Sequence, residues 1–346
     1  MKGGLTGRTL NGMCLLSFVI GFLSHKLKQN VSIKLQNITN LNEINLTLKQ
    51  GGVTFGAAVV LDQESLIAQV DIVVLAYDIM NTIQLPKQFF TPNKSVSILV
   101  SSYNTNASYV KDCLDSIKIQ TGNIFFEVVW INDGSDSLHT TLLKKLLDDF
   151  KQNSRFTDVI YYENDGNKGI GHSLNKGIHL CNHEIIIKLD SDDIMVPNRI
   201  EKQFKYMEQN PDTAICGAQI LMFKGTEKNH FVNITKHPTI TWNDYIKDFP
   251  HWFVNHPTVC YRKSKVLEVG NYSFNLKETW GNDDLSHDFE LELRMLKKYG
   301  KIYNFPEHLV LYRLHPNQVT HQGGAKTGGP GHLNKVRKDL IAKIVN

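Results

Sequence analysis

From residue 95 onward, the chain alternates short apolar runs with segments whose apolar residues recur at helical spacing. The runs predict strands, and the periodic segments predict helices of about 10 to 15 residues. Because strands separated by helices form βαβ units, the pattern predicts an α/β fold with a mainly parallel sheet flanked by helices. The predicted strands cover residues 95–100, 126–131, 159–163 and 184–189, and the predicted helices cover residues 109–120, 138–150, 173–181 and 198–209.

The first 92 residues show a less regular pattern. An apolar run at residues 12–23 predicts a buried helix, and a second run at residues 70–77 predicts a strand. The first run holds about 12 residues against the roughly 20 that a spanning helix needs, so we expect no transmembrane span, with a secretory signal as the alternative. The predicted organisation is a small N-terminal α/β accessory region of unknown role at residues 1–92, a main domain at residues 93–320, and a Gly-rich linker with a C-terminal basic amphipathic helix at residues 321–346.

Polar loops follow the predicted strands of the main domain at the points where these strands end. They occupy residues 101–106, 132–136, 164–177 and 190–193. In parallel sheets, ligands bind in the crevice outside the carboxyl ends of the strands. The spacing therefore predicts a nucleotide-type crevice built by these four loops.

The last of these loops, with the sequence DSDD, carries the clearest chemistry. Asp190 and Asp192 lie two residues apart directly after an apolar strand, so they point the same way if strand geometry continues. Two such carboxylates repel each other unless a cation or hydrogen bonds compensate. Oxygen ligands suit Mg²⁺ or Mn²⁺ that also binds substrate phosphates. The alternative is that Asp193 caps the next helix.

Composition narrows the class of protein. The chain has 346 residues, 41% of them hydrophobic and 21% charged, which is typical of a globular protein and excludes a disordered or multi-span membrane chain. The formal net charge of +4 is small and forms no basic stripe, so we expect no nucleic-acid partner. Five scattered cysteines lack zinc-site spacing, which predicts reduced thiols and a cytoplasmic location.

Residues 94–320, about two thirds of the chain, resemble a family 2 glycosyltransferase of the GT-A fold. The resemblance is carried in order by SILVSSYN, VVWINDGSD, NKGIGHSLNKG, IIIKLDSDDIMVPNRIEKQ, HPTVCYRKS, HDFELELRMLKKYG and YRLHPNQ. It implies an inverting, metal-dependent enzyme with a Rossmann-like sheet. The first 90 residues lie outside it.

The resemblance assigns the donor nucleoside to the first two loops. Ser101, Ser102, Tyr103 and Asn104 would lie beneath the nucleoside, with Tyr103 against the base. Asp133 would accept a hydrogen bond from the base, which favours uracil and therefore a UDP-sugar. The alternative is that Asp133 is only a turn residue.

The third loop would line the donor sugar and diphosphate through Asn175 and Lys176. The family often has Arg where this chain has Leu174, so one expected cation is missing. Lys168 or Lys176 would replace it, and the sequence does not decide between them.

The resemblance also implies a Mn²⁺ or Mg²⁺ site. Asp190 would reach the ribose or the metal, and Asp192 would be the firmer metal ligand. His315 would complete the metal shell or touch the diphosphate, and the alternative is a structural histidine.

The expected catalytic base is Asp288, in the segment HDFE. His287 departs from the Glu that the family usually has before this Asp. The alternative for Asp288 is an acid that only stabilises a helix N-terminus through the helix dipole.

The sequence thus predicts non-processive, inverting transfer of a sugar from a nucleoside-diphosphate sugar, with UDP favoured, to an acceptor hydroxyl on a glycan, lipid or protein. One alternative is a non-catalytic nucleotide-sugar or glycan-binding protein derived from this fold. A sugar nucleotidyltransferase is disfavoured because the Gly-rich activation loop it needs is missing after the first strand. A homo-oligomer and peripheral membrane contact stay open.

Overall fold

The computed structural model describes residues 31–34, 43–50, 53–60, 94–122, 124–153, 158–228, 230–250, 252–273, 286–316, 318 and 330–345. The chain divides into two units, Met1–Gln84 with Glu227–Phe231, and Leu85–Thr226 with Val232–Asn346. The predicted boundary at residue 92 lies outside the described residues and stays a prediction.

The described part of the first unit includes a three-stranded antiparallel sheet. Its strands are β1 (Val31–Lys34), β2 (Glu43–Gln50) and β3 (Val53–Val60). The central strand β2 pairs with both neighbours. The helix and the strand predicted at residues 12–23 and 70–77 lie outside the described residues.

The second unit is built on one large sheet. On its main path the strand order is β11-β13-β9-β12-β7-β4-β5-β6. The strands are β4 (Ser95–Ser102), β5 (Phe125–Asn132), β6 (Val159–Glu163), β7 (Ile185–Asp190), β8 (Ile194–Met195), β9 (Ile215–Lys224), β10 (Phe231–Ile234), β11 (Ile240–Thr241), β12 (Cys260–Arg262) and β13 (Lys301–Leu314).

The sheet has a parallel half and a mixed half. Strands β6, β5, β4 and β7 pair with one another in parallel, as the alternating pattern predicts. Strand β12 then inserts antiparallel between β7 and β9, while β13 is parallel to β9. The mainly parallel prediction is therefore confirmed for the half that carries the predicted crevice.

Helices follow the parallel strands as expected. They are α1 (Ala107–Lys118), α2 (Ser137–Asn153), α3 (Ile170–Leu180), α4 (Arg199–Gln209), α5 (Trp242–Asp248), α6 (Lys263–Glu268), α7 (His287–Tyr299) and α8 (Pro330–Val345), with a 3₁₀ turn at His256–Thr258. Helix α3 starts three residues before its predicted start at residue 173, directly after Gly169. That glycine has a φ of +91°, a conformation that side-chain-bearing residues rarely adopt.

The core lies between the sheet and its helices. Strand β4 is buried along Val96, Ile98, Leu99 and Val100, each at 0% exposure. Helix α3 packs so closely on it that a Cβ added to Gly177 would lie 2.3 Å from Leu99 Cδ1. This close approach fixes the position of α3 against β4.

Candidate active site

The end of β4 forms the floor of the crevice. Ser101 and Ser102 are buried, and the Ser102 hydroxyl accepts a hydrogen bond from Trp130 Nε1 at 2.9 Å. Tyr103 is 50% exposed, so its ring is open to a ligand. The SSYN loop thus combines a fixed floor with one accessible aromatic side chain.

Asn104 joins the first two loops. It has a φ of +48°, in the left-handed region that Asn tolerates better than most residues. Its backbone N–H donates to Ser135 Oγ at 2.9 Å, and its side-chain oxygen accepts from the Asp136 N–H at 2.9 Å. The loops after β4 and β5 therefore hold each other in place.

Asp133 anchors the third loop. Its buried carboxylate accepts hydrogen bonds from Asn164 Nδ2 at 2.6 Å and from the N–H groups of Lys168 at 3.0 Å and Gly169 at 2.9 Å. Asp133 is therefore more than a turn residue, because it fixes the start of α3. Its contact with a base stays a prediction, and Oδ2 has room for it, since it accepts one of these three bonds.

The two lysines considered as replacements for the missing cation each contact a neighbouring side chain. Lys168 Nζ lies 2.9 Å from Asp165 Oδ1, and Lys176 Nζ lies 4.7 Å from the centre of the Tyr162 ring. Leu174 is fully buried in the core. Each ammonium group thus has a contact of its own in this conformation, and the replacement of the missing cation by either lysine stays a prediction.

A third lysine, which sequence reasoning missed, is buried beside the acidic loop. Lys188 is 1% exposed, and its ammonium group pairs with Asp190 Oδ1. Lysine is almost never buried without a partner. The signal was in the sequence, because residues 188 and 190 lie on the same face of a strand.

Asp192 pairs with His315, which lies 123 residues further along the chain. The distance from Asp192 Oδ2 to His315 Nε2 is 2.8 Å, and both side chains are partly buried. The His315 ring lies 5.1 Å from the Tyr109 ring. The structure thus brings together two of the three predicted metal ligands.

Asp193 has a structural role that differs from the helix cap considered for it in the sequence. Its Oδ1 accepts a hydrogen bond from the Arg313 N–H at 2.9 Å, and the Arg313 side chain donates to the Asp192 carbonyl at 2.7 Å. Burial, followed by the charges of Asp192 and Asp190, raises the pKa of Asp193 well above its usual value. The helix-cap alternative is wrong for Asp193, because Asn198 occupies the N-cap of α4.

A divalent metal fits this site only together with a substrate. Among the described residues, no three His, Cys, Asp or Glu side chains form a ready metal cluster. Asp192 and His315 offer one oxygen and one nitrogen ligand, whereas Asp190 is engaged by Lys188. Mg²⁺-type ions take one or two protein carboxylates, with phosphate and water oxygens completing the shell. The donor set therefore suits a metal that arrives with a diphosphate.

Asp288 lies in the first turn of α7. Its Oδ1 accepts a hydrogen bond from the Phe289 N–H at 2.7 Å, and its side chain is only partly buried. The adjacent His287 is buried, with its ring 5.7 Å from the His256 ring and 6.0 Å from the Tyr272 ring. His287 thus belongs to an interior cluster, whereas the Asp288 side chain is partly open to solvent.

Tyr272 connects the two halves of the site. Its hydroxyl lies 2.8 Å from His256 Nε2 and 3.0 Å from the Tyr261 hydroxyl. Burial raises the pKa of Tyr272 well above its usual value, and the charges of Asp288 and Asp190 raise it further. Both carboxylates therefore lie near this phenol. Sequence reasoning missed Tyr272 because it belongs to no motif.

Burial also affects His256, which belongs to this interior cluster. Burial, followed by the positive charge of Lys188, lowers the pKa of His256 well below its usual value. Asn175 ties α3 to the same region, because its Nδ2 donates to the Tyr272 carbonyl at 2.6 Å. Asn175 is therefore a structural link in this conformation, and its contact with a donor stays a prediction.

Comparisons with known proteins show the fold and the family of the chain. Among solved structures, the chain resembles S. aureus TarS 1-349 in complex with UDP-GlcNAc, with a TM-score of 0.54 and 18% identity over 73% of this chain and 67% of that one. That likeness shows a shared glycosyltransferase fold. Residues 97–270, about half of the chain, match the family described as Glycosyl transferase family 2. The chain therefore belongs to this family and is a glycosyltransferase.

Curated relatives match more than half of the chain. The chain is 29% identical over 237 residues to the amylovoran biosynthesis glycosyltransferase AmsE of Erwinia amylovora, covering 66% of this chain and 79% of the relative. It is 28% identical over 202 residues to the UDP-Gal:alpha-D-GlcNAc-diphosphoundecaprenol beta-1,3-galactosyltransferase of Escherichia coli, covering 58% and 67%. In the part of the chain that the structure describes, no helix has both the length and the apolar character needed to cross a membrane.

Proposed function

We propose that this protein transfers one sugar at a time from a UDP-sugar to an acceptor hydroxyl, with inversion at the anomeric carbon. One observation carries the proposal. Asp190 ends β7, Asp192 and its partner His315 lie beside it, and the charges of Asp190 and Asp288 both act on the buried Tyr272. This neighbourhood supports a diphosphate-binding side and a candidate base within one site.

The preference for UDP is supported by two kinds of observation. Tyr103 offers an open ring for stacking, and Asp133 keeps a buried acceptor atom beside it in the neighbouring loop. The name of one relative includes UDP-Gal, and one structural neighbour is a complex with UDP-GlcNAc. These proteins support a uridine nucleotide, and the sugar itself is left to experiment.

Asp192 and His315 would hold the divalent metal, Mn²⁺ or Mg²⁺, with Asp190 as the third candidate ligand. When bound, the metal would neutralise the negative charge that develops on the departing diphosphate. Lys188, buried beside Asp190, adds a fixed positive charge to the same side. The protein would therefore stabilise the leaving group electrostatically, without a covalent intermediate.

Asp288 would act as the general base. The acceptor oxygen forms a bond to the anomeric carbon while the bond from that carbon to the diphosphate breaks, and the hydroxyl proton moves to the Asp288 carboxylate. Attack from the face opposite the leaving group gives inversion through an oxocarbenium-like transition state. The partial exposure of Asp288 supports this role, because a base must reach an incoming hydroxyl.

We propose that the acceptor is a glycan, lipid or protein with a suitably placed hydroxyl. We also propose that the protein is located in the cytoplasm. Among these acceptors we favour a sugar linked to a polyprenol diphosphate, because the name of the Escherichia coli relative includes GlcNAc-diphosphoundecaprenol. A synthetic short-chain analogue of such an acceptor is therefore the first to test.

The test measures nucleoside diphosphate release from UDP-, GDP- and dTDP-sugars, with Mn²⁺ and with EDTA, in the presence and absence of the acceptor analogue. We expect release from one UDP-sugar, lost with EDTA and lowered at least about 10²-fold in Asp288→Asn. Asp148→Asn, an exposed change on α2, is the matched control. An NMR spectrum of the product distinguishes inversion from retention at the anomeric carbon.

Two outcomes would contradict the proposal. Turnover of a GDP- or dTDP-sugar alone would exclude the UDP preference. Donor binding without turnover under any of these conditions would favour the alternative of a non-catalytic nucleotide-sugar-binding protein.

A further inference from the structure

The C-terminal helix α8 lies outside residues 97–270, the segment that matches the family. It nevertheless packs on α7, the helix that begins at His287 and carries Asp288. Leu340 is 3% exposed and Ile341 is 8% exposed, and both belong to the same hydrophobic cluster as Phe289. The apolar face of α8 is therefore part of the core of the second unit.

A polar contact fixes the far ends of these two helices. Lys297, in the last turn of α7, donates from Nζ to the Ile344 carbonyl at 2.6 Å and to the Val345 carbonyl at 3.3 Å. These carbonyls belong to the end of α8, where a helix leaves acceptors without intrahelical partners. A cation there also interacts favourably with the helix dipole.

At the other end of the contact, Arg337 reaches the first turn of α7. Its guanidinium carbon lies 5.2 Å from the centre of the Phe289 ring, within the range of a cation–π interaction. Phe289 follows Asp288 directly and donates its N–H to the Asp288 carboxylate. Arg337 therefore contacts the ring of the residue whose N–H binds the candidate base.

Glu292 lies one helical turn after Asp288 and is 4% exposed. Its Oε1 has no hydrogen-bond partner among the described residues. Burial, followed by the charge of Asp288, raises the pKa of Glu292 well above its usual value, whereas the charges of Arg337 and Lys188 lower it. The positive charges of Lys188, from the sheet, and Arg337, from α8, thus partly offset the effect of burial on this acid beside the candidate base.

We propose that Arg337 is a positioning residue for Asp288, acting through the Phe289 ring and the buried Glu292. Helix α8 is then a working part of the acceptor side of the active site. Without Arg337, the first turn of α7 loses its stacked cation, and Glu292 loses one of the two cations that partly offset the effect of its burial. The inference depends on the proposed role of Asp288 as the base.

The kinetic test compares Arg337→Met, Arg337→Lys and Lys338→Met. Lys338 is the exposed neighbour of Arg337, so its change removes the same charge from α8 and serves as the control. We expect Arg337→Met to lower kcat for UDP release about 10-fold, with the Kd for UDP in the presence of Mn²⁺ unchanged within about two-fold. Arg337→Lys should recover part of kcat, because it keeps the charge but not the planar stack.

A second measurement does not depend on activity. In a thermal-unfolding cycle, Arg337→Met should lower Tm by about 3 °C when Glu292 is present and by less than about 1 °C in the Glu292→Gln background. Strictly additive Tm changes would overturn the inference, and so would equal kcat values for Arg337→Met and Lys338→Met. If no donor is turned over by the wild-type protein, the proposed function fails while this cycle still decides whether Arg337 and Glu292 are coupled.

Discussion

The proposed donor half of the site, with the loops held by Asp133 and Asn104, and the proposed acceptor half, around Tyr272, are built by different means. In the donor half, Asp133 and Asn104 bind backbone N–H groups of neighbouring loops. In the acceptor half, side chains bind side chains in the interior, as Tyr272 does with His256 and Tyr261. The first arrangement fixes loops, whereas the second fixes the orientation of one helix start.

This difference has a consequence for mutation. A loop fixed by several backbone N–H groups loses order when one carboxylate is changed, so the affinity for the donor should fall. A mutation in an interior side-chain network changes the position of the candidate base, so turnover should fall while the affinity for the donor stays unchanged. The predictions below test that separation, starting with the largest expected effect.

The largest effect is expected for Asp192→Ala. The change removes the carboxylate that pairs with His315 at 2.8 Å and leaves the candidate metal site with one firm ligand. We expect metal-dependent UDP release to fall about 10³-fold, as for the loss of other strong electrostatic groups at a leaving group. Release is measured at saturating donor over a Mn²⁺ titration.

Asp212→Ala is the control for Asp192→Ala, because Asp212 is an exposed aspartate remote in sequence from the loop. It should retain wild-type release. Full activity of Asp192→Ala at low Mn²⁺ would contradict the metal assignment.

The next effect concerns stability. Lys188→Met leaves Asp190 in a largely buried place without its partner, and breaking a buried ion pair in this way costs about 3 to 5 kcal/mol. We therefore expect a loss of about that size in the free energy of unfolding, measured by urea denaturation. The double variant Lys188→Met with Asp190→Asn should recover part of the loss, because it removes both charges.

If Lys188→Met and the double variant are equally unstable, Lys188 contributes through packing alone. That outcome would mean that the charge of Lys188 does not stabilise the donor half of the site.

Much of the fold could be predicted from the sequence because it depends on local patterns. The apolar run at 159–163 matches β6 at both ends, and the helix predicted at 198–209 begins one residue later, at Arg199. The antiparallel direction of β12 could not be predicted, because a strand of only three residues, Cys260–Arg262, carries no information about the path of the chain. The same limit applies to α8, whose packing on α7 depends on contacts between distant residues.

For the candidate site, the loop motifs identified the residues but not their partners. Asp192 and His315 were selected separately, and the structure pairs them. Lys188 was overlooked within an apolar strand, although its two-residue spacing from Asp190 was visible. His256 lies in the segment HPTVCYRKS, but its partner Tyr272 lies 16 residues later and outside the motifs, so this contact could not be predicted.

The donor half can be tested separately with Asp133→Asn. The amide keeps the shape of the side chain but loses the charge that accepts from the N–H groups of Lys168 and Gly169. Hydrogen bonds to a charged group contribute about 1.5 to 3 kcal/mol, so we expect UDP affinity to fall about 10-fold or more as the loop loosens. Isothermal titration with UDP measures this, with Asp136→Asn as an exposed control in the same loop. Unchanged affinity would mean that the anchored loop does not contribute to donor binding.

The smallest effect is expected for Tyr272→Phe, and it sharpens the comparison most. The change removes only the hydroxyl that lies 2.8 Å from His256 Nε2 and 3.0 Å from the Tyr261 hydroxyl. Each such bond contributes about 1 kcal/mol, so kcat should fall about 5-fold while the Kd for UDP stays within about two-fold of wild type. Tyr299→Phe, which removes a partly exposed hydroxyl near the end of α7, is the control. A loss of UDP affinity in Tyr272→Phe would show that the interior network supports the donor half as well, and the two halves would then be one mechanical unit.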